Sequence, residues 1–501
     1  MADLEQGEGP RADIKKAEAN VQALEVLSAE SDVKKSKFQR YLELLSRISG
    51  VETRGIERVA DDERQPLAPD TYTRIFLLWL SSALTGNNII VGLYGPSLYG
   101  LDWNQAAACA VTGVTLGSMA VGYMSTWGPR TGNRTLIVTR FFLGHSLSKV
   151  CCVLNILTML GYGMVNCILG GQVIHTVSGG RTAVPVGIIV VSILTWLIAT
   201  LGVHLFHFYA RYAWIIQILT LSIMIGCAGP SFNTAPQPDS TKATASSRLS
   251  FFSLSLASAI TWAPSSADYF VYLPTTTKPW KMFLASSTGT SLAMSLTTLL
   301  GIGLATSPTT SPTTTTWPNH LKTPGTLLTT SYTPLHTLGQ ICALILLLGT
   351  ISNNIPSTYS AALNLQMLTR HGPRMPRPLL TTLEVTLYTI CAITARNYLR
   401  EIVENFLPLM AYWIVAWLVI CLLEIAVFRR DKHDCDCDYD WGGGDGFRCL
   451  PGGFAAGSQS YFVGPVAKAL HGCDLGMWLA FAFTGVVYLP LRFVELRLVG
   501  R

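Results

Sequence analysis

Charged residues are scarce in this sequence. Only 13% of its 501 residues are Asp, Glu, Lys or Arg, whereas 49% are hydrophobic and the mean hydropathy is +0.37. Soluble domains carry about twice that share of charged residues. The composition therefore excludes an ordinary soluble protein and predicts an all-α polytopic membrane protein. The net charge of +6 requires no nucleic-acid partner, because basic residues collect on the cytoplasmic loops of membrane proteins.

The sequence also lacks the patterns that mark an enzyme or a metal site. It contains no hydrolase elbow, no metalloprotease helix and no Walker loop. Acidic and cysteine residues cluster between Cys435 and Asp440, but no second ligand pair follows at zinc spacing, so we interpret the cluster as a solvated loop. The twelve cysteines form no paired framework and are interpreted as reduced packing residues. We expect no enzymatic activity, cofactor or metal.

Long apolar segments are what the sequence does contain. Eleven of them approach the length needed to cross a bilayer, and the polar residues before them contain no cleavable signal peptide. We place the spans roughly at 75–99, 106–124, 150–174, 184–203, 211–229, 250–272, 282–305, 336–356, 379–395, 403–428 and 475–493. The predicted organisation is a cytoplasmic tail (1–73), a ten-helix core (74–430), a polar loop (431–474) and a last transmembrane helix (475–501).

Lys and Arg residues are distributed unevenly among the loops. The loops after the second, sixth, eighth and tenth spans carry most of them, and the intervening loops carry few. Because basic residues favour the cytoplasmic side, we place the N-terminus and these four loops in the cytoplasm.

Two spans contain residues that break helices. The first reads Thr85-Gly86-Asn87-Asn88 at mid-depth, and the sixth contains Pro264, which removes a helix hydrogen bond. In many secondary transporters such broken spans line the substrate cavity. The residues predicted to line it are Gly86, Asn87, Asn88, Ala263 and Pro264. The alternative is an ordinary first span whose amides bond neighbouring helices.

Buried asparagines recur at the same interval as the breaks. Asn166 lies in the third span, and Asn353 and Asn354 end the eighth, just before Pro356. Spans one and six are both broken, and spans three and eight both carry amides, so the offset is five spans in each pair. This spacing predicts two inverted five-helix repeats, about 74–229 and 250–430, around a central site.

The predicted site suits a small, flat, neutral polar molecule, because it offers amides, hydroxyls and Trp262 with few charges. Asparagine reads the donor–acceptor edge of a heterocycle, and an aromatic ring stacks on its face. A sugar also fits amides and tryptophan, so the residues leave both ligands open. A purely packing role for Trp262 is equally open.

Two acidic residues lie inside predicted spans, where a charge is costly. Asp268, just past the break in span six, is the first candidate for carrying a coupling proton, and Glu384 in span nine is the second. In a cavity of low dielectric constant, such an acid is expected to have a raised pKa. Alternatively, Asp268 only caps the inner half of span six by accepting bonds from free N–H groups.

Several unusual motifs occur in an order that resembles the fungal purine-cytosine permeases of the nucleobase:cation symporter-1 group. They are Tyr123–Arg134, Gly161–Gln172, Ser250–Pro274, Asn353–Ala362, Arg396–Tyr398, Glu404–Phe406 and Tyr461–Lys468. The resemblance covers about residues 70–500. It implies a leucine-transporter-type 5+5 fold of twelve spans that imports adenine, guanine, hypoxanthine and cytosine across the plasma membrane, generally with protons.

The resemblance also implies particular binding residues. By motif, substrate binding falls on Asn166, Asn353, Asn354 and Pro356, with Ser81 of the first span as a further contributor. A sodium site in this fold uses carbonyls of the first span and hydroxyls of the eighth, so Thr350 and Ser352 keep sodium open beside the proton. A carrier of pyridoxine or thiamine and a non-transporting nutrient receptor are the alternative functions.

The sequence departs from the family pattern near its end. The family has an apolar eleventh span before the Tyr-x-x-Gly-Pro segment, whereas here Gly453–Ala456 runs almost directly into Gly457–Tyr461. About twenty residues, enough for one bilayer crossing, are absent. We predict a gene-model or isoform loss. Eleven spans would reverse the last helix and place the C-terminus outside.

Overall fold

The structure is a computed structural model that describes most of the chain from residue 55 onward. The predicted tail up to residue 54, almost all of the predicted loop 431–474 and the junction at Gly457 lie outside the described residues. The residues described are 55–201, 203–235, 245–306, 323–369, 372, 375–428, 458–459, 462–463 and 474–499.

A helix occupies the position of every predicted span. The α-helices of the described residues are α1 (Thr71–Ala83), α2 (Gly86–Ser97), α3 (Trp103–Ser125), α4 (Trp127–Thr131), α5 (Thr135–Val177), α6 (Val184–Leu201), α7 (Val203–Ala228), α8 (Ala245–Ile260), α9 (Pro279–Thr306), α10 (Pro324–Thr330), α11 (His336–Leu368), α12 (Arg377–Ala395), α13 (Leu399–Leu423) and α14 (Gly476–Val499). A 3-10 helix, Ala263–Tyr269, follows α8, and a π-helical turn, Glu424–Phe428, follows α13. The strands among the described residues are the two-residue pair β1 (Ser458–Gln459) and β2 (Phe462–Val463), which is antiparallel.

Most of these helices can cross a membrane. In the described part of the chain, eight are long and apolar enough, counting α3 with α4, and the bent pair α1–α2 makes a ninth. Helix α6 is apolar but shorter, and α8 reaches its full predicted length only with the 3-10 helix that continues it. The prediction of an all-α polytopic membrane protein is confirmed.

The helix contacts repeat with a period of five spans. Counting α1–α2 as span one, spans two to ten are α3, α5, α6, α7, α8, α9, α11, α12 and α13. Span one packs on span seven, and correspondingly span six packs on span two. Span three packs on span nine, and correspondingly span eight packs on span four. Span five likewise contacts span eight as span ten contacts span three. Each of these six contacts reappears when five is added to or subtracted from both span numbers, as two repeats of five helices require.

The segment between spans two and three differs from the prediction of a loop. Helix α5 begins at Thr135, fifteen residues before the predicted span, and bends at Gly144, whose φ of 72° is left-handed. Arg134 is buried, with 2% of its surface exposed. The Arg134 guanidinium donates hydrogen bonds to the Asp268 carbonyl and the Tyr359 hydroxyl. These bonds offset the cost of burying its charge where α5 begins.

The end of the predicted tail packs on the same region. The Val59 N–H donates to the Gly132 carbonyl over 3.0 Å, and Arg58 Nε donates to the Thr131 carbonyl over 3.2 Å. Arg64 also donates to the Pro129 carbonyl. Residues 58–65 are therefore held against the helical domain by hydrogen bonds, rather than belonging to a free tail.

The last helix runs parallel to α13. Asp474, before α14, accepts a hydrogen bond from Tyr412 in the middle of α13 (2.7 Å). Further along both helices, Glu424 accepts from Tyr488 (2.6 Å) and Arg492 (2.8 Å). The two helices therefore end on the same side, and the expected reversal of the last helix is not what the structure shows.

Candidate functional site

Three asparagine side chains meet where spans three and eight cross. Asn166 donates through Nδ2 to Oδ1 of Asn353 (2.9 Å) and to Oδ1 of Asn354 (2.7 Å). All three are at most 3% exposed. Asn166 Oδ1 has no partner, and Asn354 Nδ2 has only a 3.6 Å contact with the Cys167 sulfur. The cluster thus presents one free acceptor next to one weakly used donor.

The break in span one lies against this cluster. Helix α1 ends at Ala83, α2 begins at Gly86, and the two are bent by 59°. Asn353 Nδ2 donates to the Ser82 carbonyl (2.8 Å) and Asn88 Nδ2 donates to the Ala83 carbonyl (2.7 Å). These bonds satisfy two of the carbonyls that a helix end leaves free, so the break is stable at membrane depth.

The other predicted residues of span one are also buried near the break. Ser81 lies in the last turn of α1, is 1% exposed, and its hydroxyl has no partner. Gly86 and Asn87 open α2 and are buried. Asn88 does not bond a neighbouring helix, as the alternative interpretation expected, but closes the break within its own span.

Aromatic rings form a wall beside the amides. The Trp262 ring lies 5.3 Å from that of Tyr162 (centroid to centroid, 38° between planes) and 6.5 Å from that of Trp79, edge to face. Tyr162 is fixed by hydrogen bonds of its hydroxyl with Thr261 (2.6 Å) and the Ser258 carbonyl (3.1 Å). Because Tyr162 precedes Asn166 by four residues on α5, the ring and the amide share one helix face.

The break in span six is present where Pro264 predicts it. Helix α8 ends at Ile260, and the buried residues Ala263 and Pro264 open the 3-10 helix. Tyr269, at its end, donates to the Pro356 carbonyl over 2.9 Å. This bond ties the second half of span six to span eight just beyond the asparagine pair.

Asp268 caps a different helix from the one expected. Its Oδ1 accepts from the backbone N–H of Thr135 (2.8 Å) and from the Thr135 hydroxyl (3.1 Å), and its Oδ2 accepts from Ser360 (2.8 Å). Thr135 is the first residue of α5, so Asp268 caps span three rather than span six. Arg134 donates to the Asp268 carbonyl and to the Tyr359 hydroxyl. Both carboxylate oxygens of Asp268 are thereby occupied.

Glu384 has the opposite environment. It lies on α12, is 1% exposed, and neither of its carboxylate oxygens has a hydrogen-bond partner.

The two hydroxyl residues considered for a sodium site differ from each other in their hydrogen bonding. Thr350 bonds the Leu346 carbonyl (3.3 Å), whereas the buried Ser352 hydroxyl has no partner.

Sequence reasoning missed several residues of this site. Tyr162 and Trp79 belong to the aromatic wall, and Tyr269 links the two broken regions. Tyr162 could have been found from its spacing of four residues before Asn166. Trp79 and Tyr269 could not, because their proximity depends on how spans one and six cross.

Comparisons with known proteins agree with this geometry. Residues 69–443 match the model of the family described as "Permease for cytosine/purines, uracil, thiamine, allantoin". The chain is 30% identical to the purine-cytosine permease fcyB of Emericella nidulans, over 90% of each chain. It is 26% identical to the vitamin B6 transporter TPN1 of Saccharomyces cerevisiae, over 90% of this chain and 89% of that protein.

Solved transporters share the fold. Mhp1, a nucleobase-cation-symport-1 family transporter in a closed conformation with bromovinylhydantoin bound, superposes with a TM-score of 0.60 at 13% identity, covering 89% of this chain and 95% of Mhp1. MhsT in complex with L-phenylalanine gives a TM-score of 0.51 at 13% identity, covering 85% and 99%. These likenesses confirm the leucine-transporter-type 5+5 fold. The chain belongs to the family of membrane permeases for cytosine/purines, uracil, thiamine and allantoin, and it is a transporter, not an enzyme.

Proposed function

We propose that this permease imports purine bases and cytosine across the plasma membrane by symport with protons. The observation that carries the proposal is the amide cluster of Asn166, Asn353 and Asn354 beside the rings of Tyr162 and Trp262. An unpartnered amide oxygen next to an available amide N–H matches the edge of a nucleobase, which presents donors beside acceptors. The neighbouring rings suit its flat face.

Alternating access follows from the two breaks. A base held between spans three and eight would touch the broken ends of spans one and six, so movement of those ends can open the site to one side at a time. The N-terminus is proposed to face the cytoplasm, with the ten core spans arranged as the basic loops predict.

A vitamin B6-type heterocycle is the second candidate, and the similarity to TPN1 over 90% of this chain favours it. Pyridoxine is also a flat heterocycle, and the amide cluster can bond it. A receptor that binds without transporting remains the third.

Uptake separates the three candidates. The chain would be expressed in fungal cells that lack their own carriers for cytosine, adenine and pyridoxine, and each radiolabelled compound would be supplied in turn. A base importer accumulates cytosine or adenine, a vitamin carrier accumulates pyridoxine alone, and a receptor binds without accumulation. Accumulation of neither base would overturn the proposal.

A further inference from the structure

The buried acids of the described core differ in how they are neutralised. Asp268 receives three hydrogen bonds, and Glu424 is paired with Arg492 at 2.8 Å. Glu384 receives no hydrogen bond and is 1% exposed. An unpaired carboxylate is expensive in an apolar interior, whereas the neutral acid costs far less. A group in this position is suited to changing its charge rather than to holding the fold together.

A row of hydroxyl groups lies between Glu384 and the amide cluster. Tyr388, one turn further along α12, packs its ring against Gly163 of α5. Its hydroxyl faces Thr358 of α11 and Thr195 of α6 without a well-formed hydrogen bond. Thr358 in turn lies one helical turn beyond Asn354.

The members of this row share one property. Most buried polar groups have a hydrogen-bond partner, yet four neighbouring sites here lack one. The unpartnered atoms are Asn166 Oδ1, Thr358 Oγ1, Tyr388 Oη and both carboxylate oxygens of Glu384. Groups of this kind are the normal hosts of a ligand, a proton or internal water.

We propose that Glu384 is the residue that binds and releases the coupling proton, and that Tyr388 and Thr358 connect it to the base at Asn354. The proposal rests on the proposed function of proton symport and names its coupling site. Uptake of one proton converts the Glu384 carboxylate to the neutral acid, and release of that proton restores the carboxylate.

The surroundings of Glu384 contain weak acids rather than a counter-ion. The titratable groups that face it are the hydroxyls of Tyr388 on its own helix and Tyr269 on the 3-10 helix, with the Cys167 thiol of α5 and Asp268 beside those tyrosines. Arg377, two turns earlier on α12, lies over the Tyr359 ring at 3.9 Å. Glu384 can therefore be neutralised by a proton more readily than by a side chain.

The test compares accumulation with exchange in the full-length protein. Glu384→Gln removes the ionisable group while keeping the shape, Glu384→Asp keeps a carboxyl, and Glu401→Gln is the control on an exposed glutamate of α13. In the wild type and in Glu401→Gln, the limiting accumulation of cytosine should change by about tenfold for each unit of the pH gradient. In Glu384→Gln, accumulation should stay at equilibrium with the medium regardless of pH, whereas counterflow exchange of labelled cytosine persists.

Each outcome decides the inference. Uphill, pH-dependent accumulation by Glu384→Gln overturns it. So does the loss of both counterflow and accumulation in a Glu384→Gln variant that reaches the cell surface at the normal level. Glu384→Asp should keep pH-dependent accumulation, because it keeps the carboxyl group. If Glu384 were only structural, Gln, which keeps its shape, should preserve that accumulation as well as Asp does. If Glu384→Gln does not reach the cell surface, the same two measurements are made on purified protein in liposomes. A wild type that accumulates no base refutes the proposed function instead, and is thereby distinguishable.

Discussion

The three clustered asparagines have different structural tasks. Asn353 donates a hydrogen bond through Nδ2 to the Ser82 carbonyl at the end of α1, so it stabilises the break of span one. Asn166 and Asn354 keep an unpartnered oxygen and a weakly bonded N–H. These two are therefore the asparagines we expect to recognise the base, whereas Asn353 supports the backbone from which they act.

Replacing a recognising asparagine should weaken substrate affinity. Asn166→Ala and Asn354→Ala each leave a polar group of the bound base unpaired, at a cost of about 1–3 kcal/mol, or roughly 5- to 150-fold in KM. Asn104→Ala, at an exposed position of α3, is the control. Uptake kinetics at matched surface expression measure the effect. An unchanged KM in both variants would remove the amide cluster from the binding site.

The Tyr162 ring and its hydroxyl can be tested separately. Tyr162→Phe keeps the ring and loses two bonds to α8 and its end, so its KM for cytosine should stay near that of the wild type. Tyr162→Leu loses the stacking face, which is worth about 1–3 kcal/mol per base. Equal effects of the two substitutions on KM would argue that the hydroxyl, not stacking, matters.

At the scale of helices, the breaks were predictable and their consequences were not. Gly86 and Pro264 mark the two breaks in the sequence because each weakens a helix locally. The role of Asp268 was not predictable, because it caps Thr135, 133 positions away in the chain. Arg134 likewise looked like a loop residue. Its burial depends on Asp268 and Tyr359, which only the fold brings near.

Spans one and seven cross with their backbones in close contact. A Cβ at Gly301 of α9 would overlap the Ile89 carbonyl of α2, and a Cβ at Gly92 would overlap the Thr298 carbonyl. Gly226 of α7, by contrast, has no atom within 4 Å of such a Cβ. The two positions therefore separate the packing role of glycine from its low helix propensity.

Gly301→Ala should destabilise the protein by about 1–3 kcal/mol, because it overpacks the crossing. Gly226→Ala should instead leave stability unchanged or raise it by about 0.5–1 kcal/mol. Thermal unfolding of the detergent-solubilised protein, followed by size-exclusion chromatography, measures both. Equal Tm values for the two variants would contradict the crossing.

At the scale of the whole molecule, the repeat of five spans follows from the sequence, and the direction of the last helix does not. The spacing of breaks and amides indicates the repeat. The contacts that fix α14 lie between distant residues, namely the bonds of Glu424 to Tyr488 and Arg492, and that of Tyr412 to Asp474. The loss of a span remains a prediction, because the junction at Gly457 lies outside the described residues.

The parallel course of α14 predicts the side on which the chain ends. An epitope after Arg501 should lie on the same side as the end of α13, which the basic loops predict to be the cytoplasmic side. In intact cells it should be protected from antibody and become accessible on permeabilisation, as an N-terminal epitope should. A C-terminal epitope that is exposed in intact cells would show that α14 crosses in the reverse direction.

The central claim is that this permease moves nucleobases, and uptake tests it most directly. Cells without their own carriers would express either the wild type or Asn354→Ala and receive labelled cytosine, adenine or pyridoxine at acidic pH. We predict uphill accumulation of cytosine or adenine by the wild type, suppressed by an uncoupler and weakened in Asn354→Ala. Accumulation of pyridoxine alone, or of none of the three compounds by a wild type that reaches the cell surface, would contradict the account.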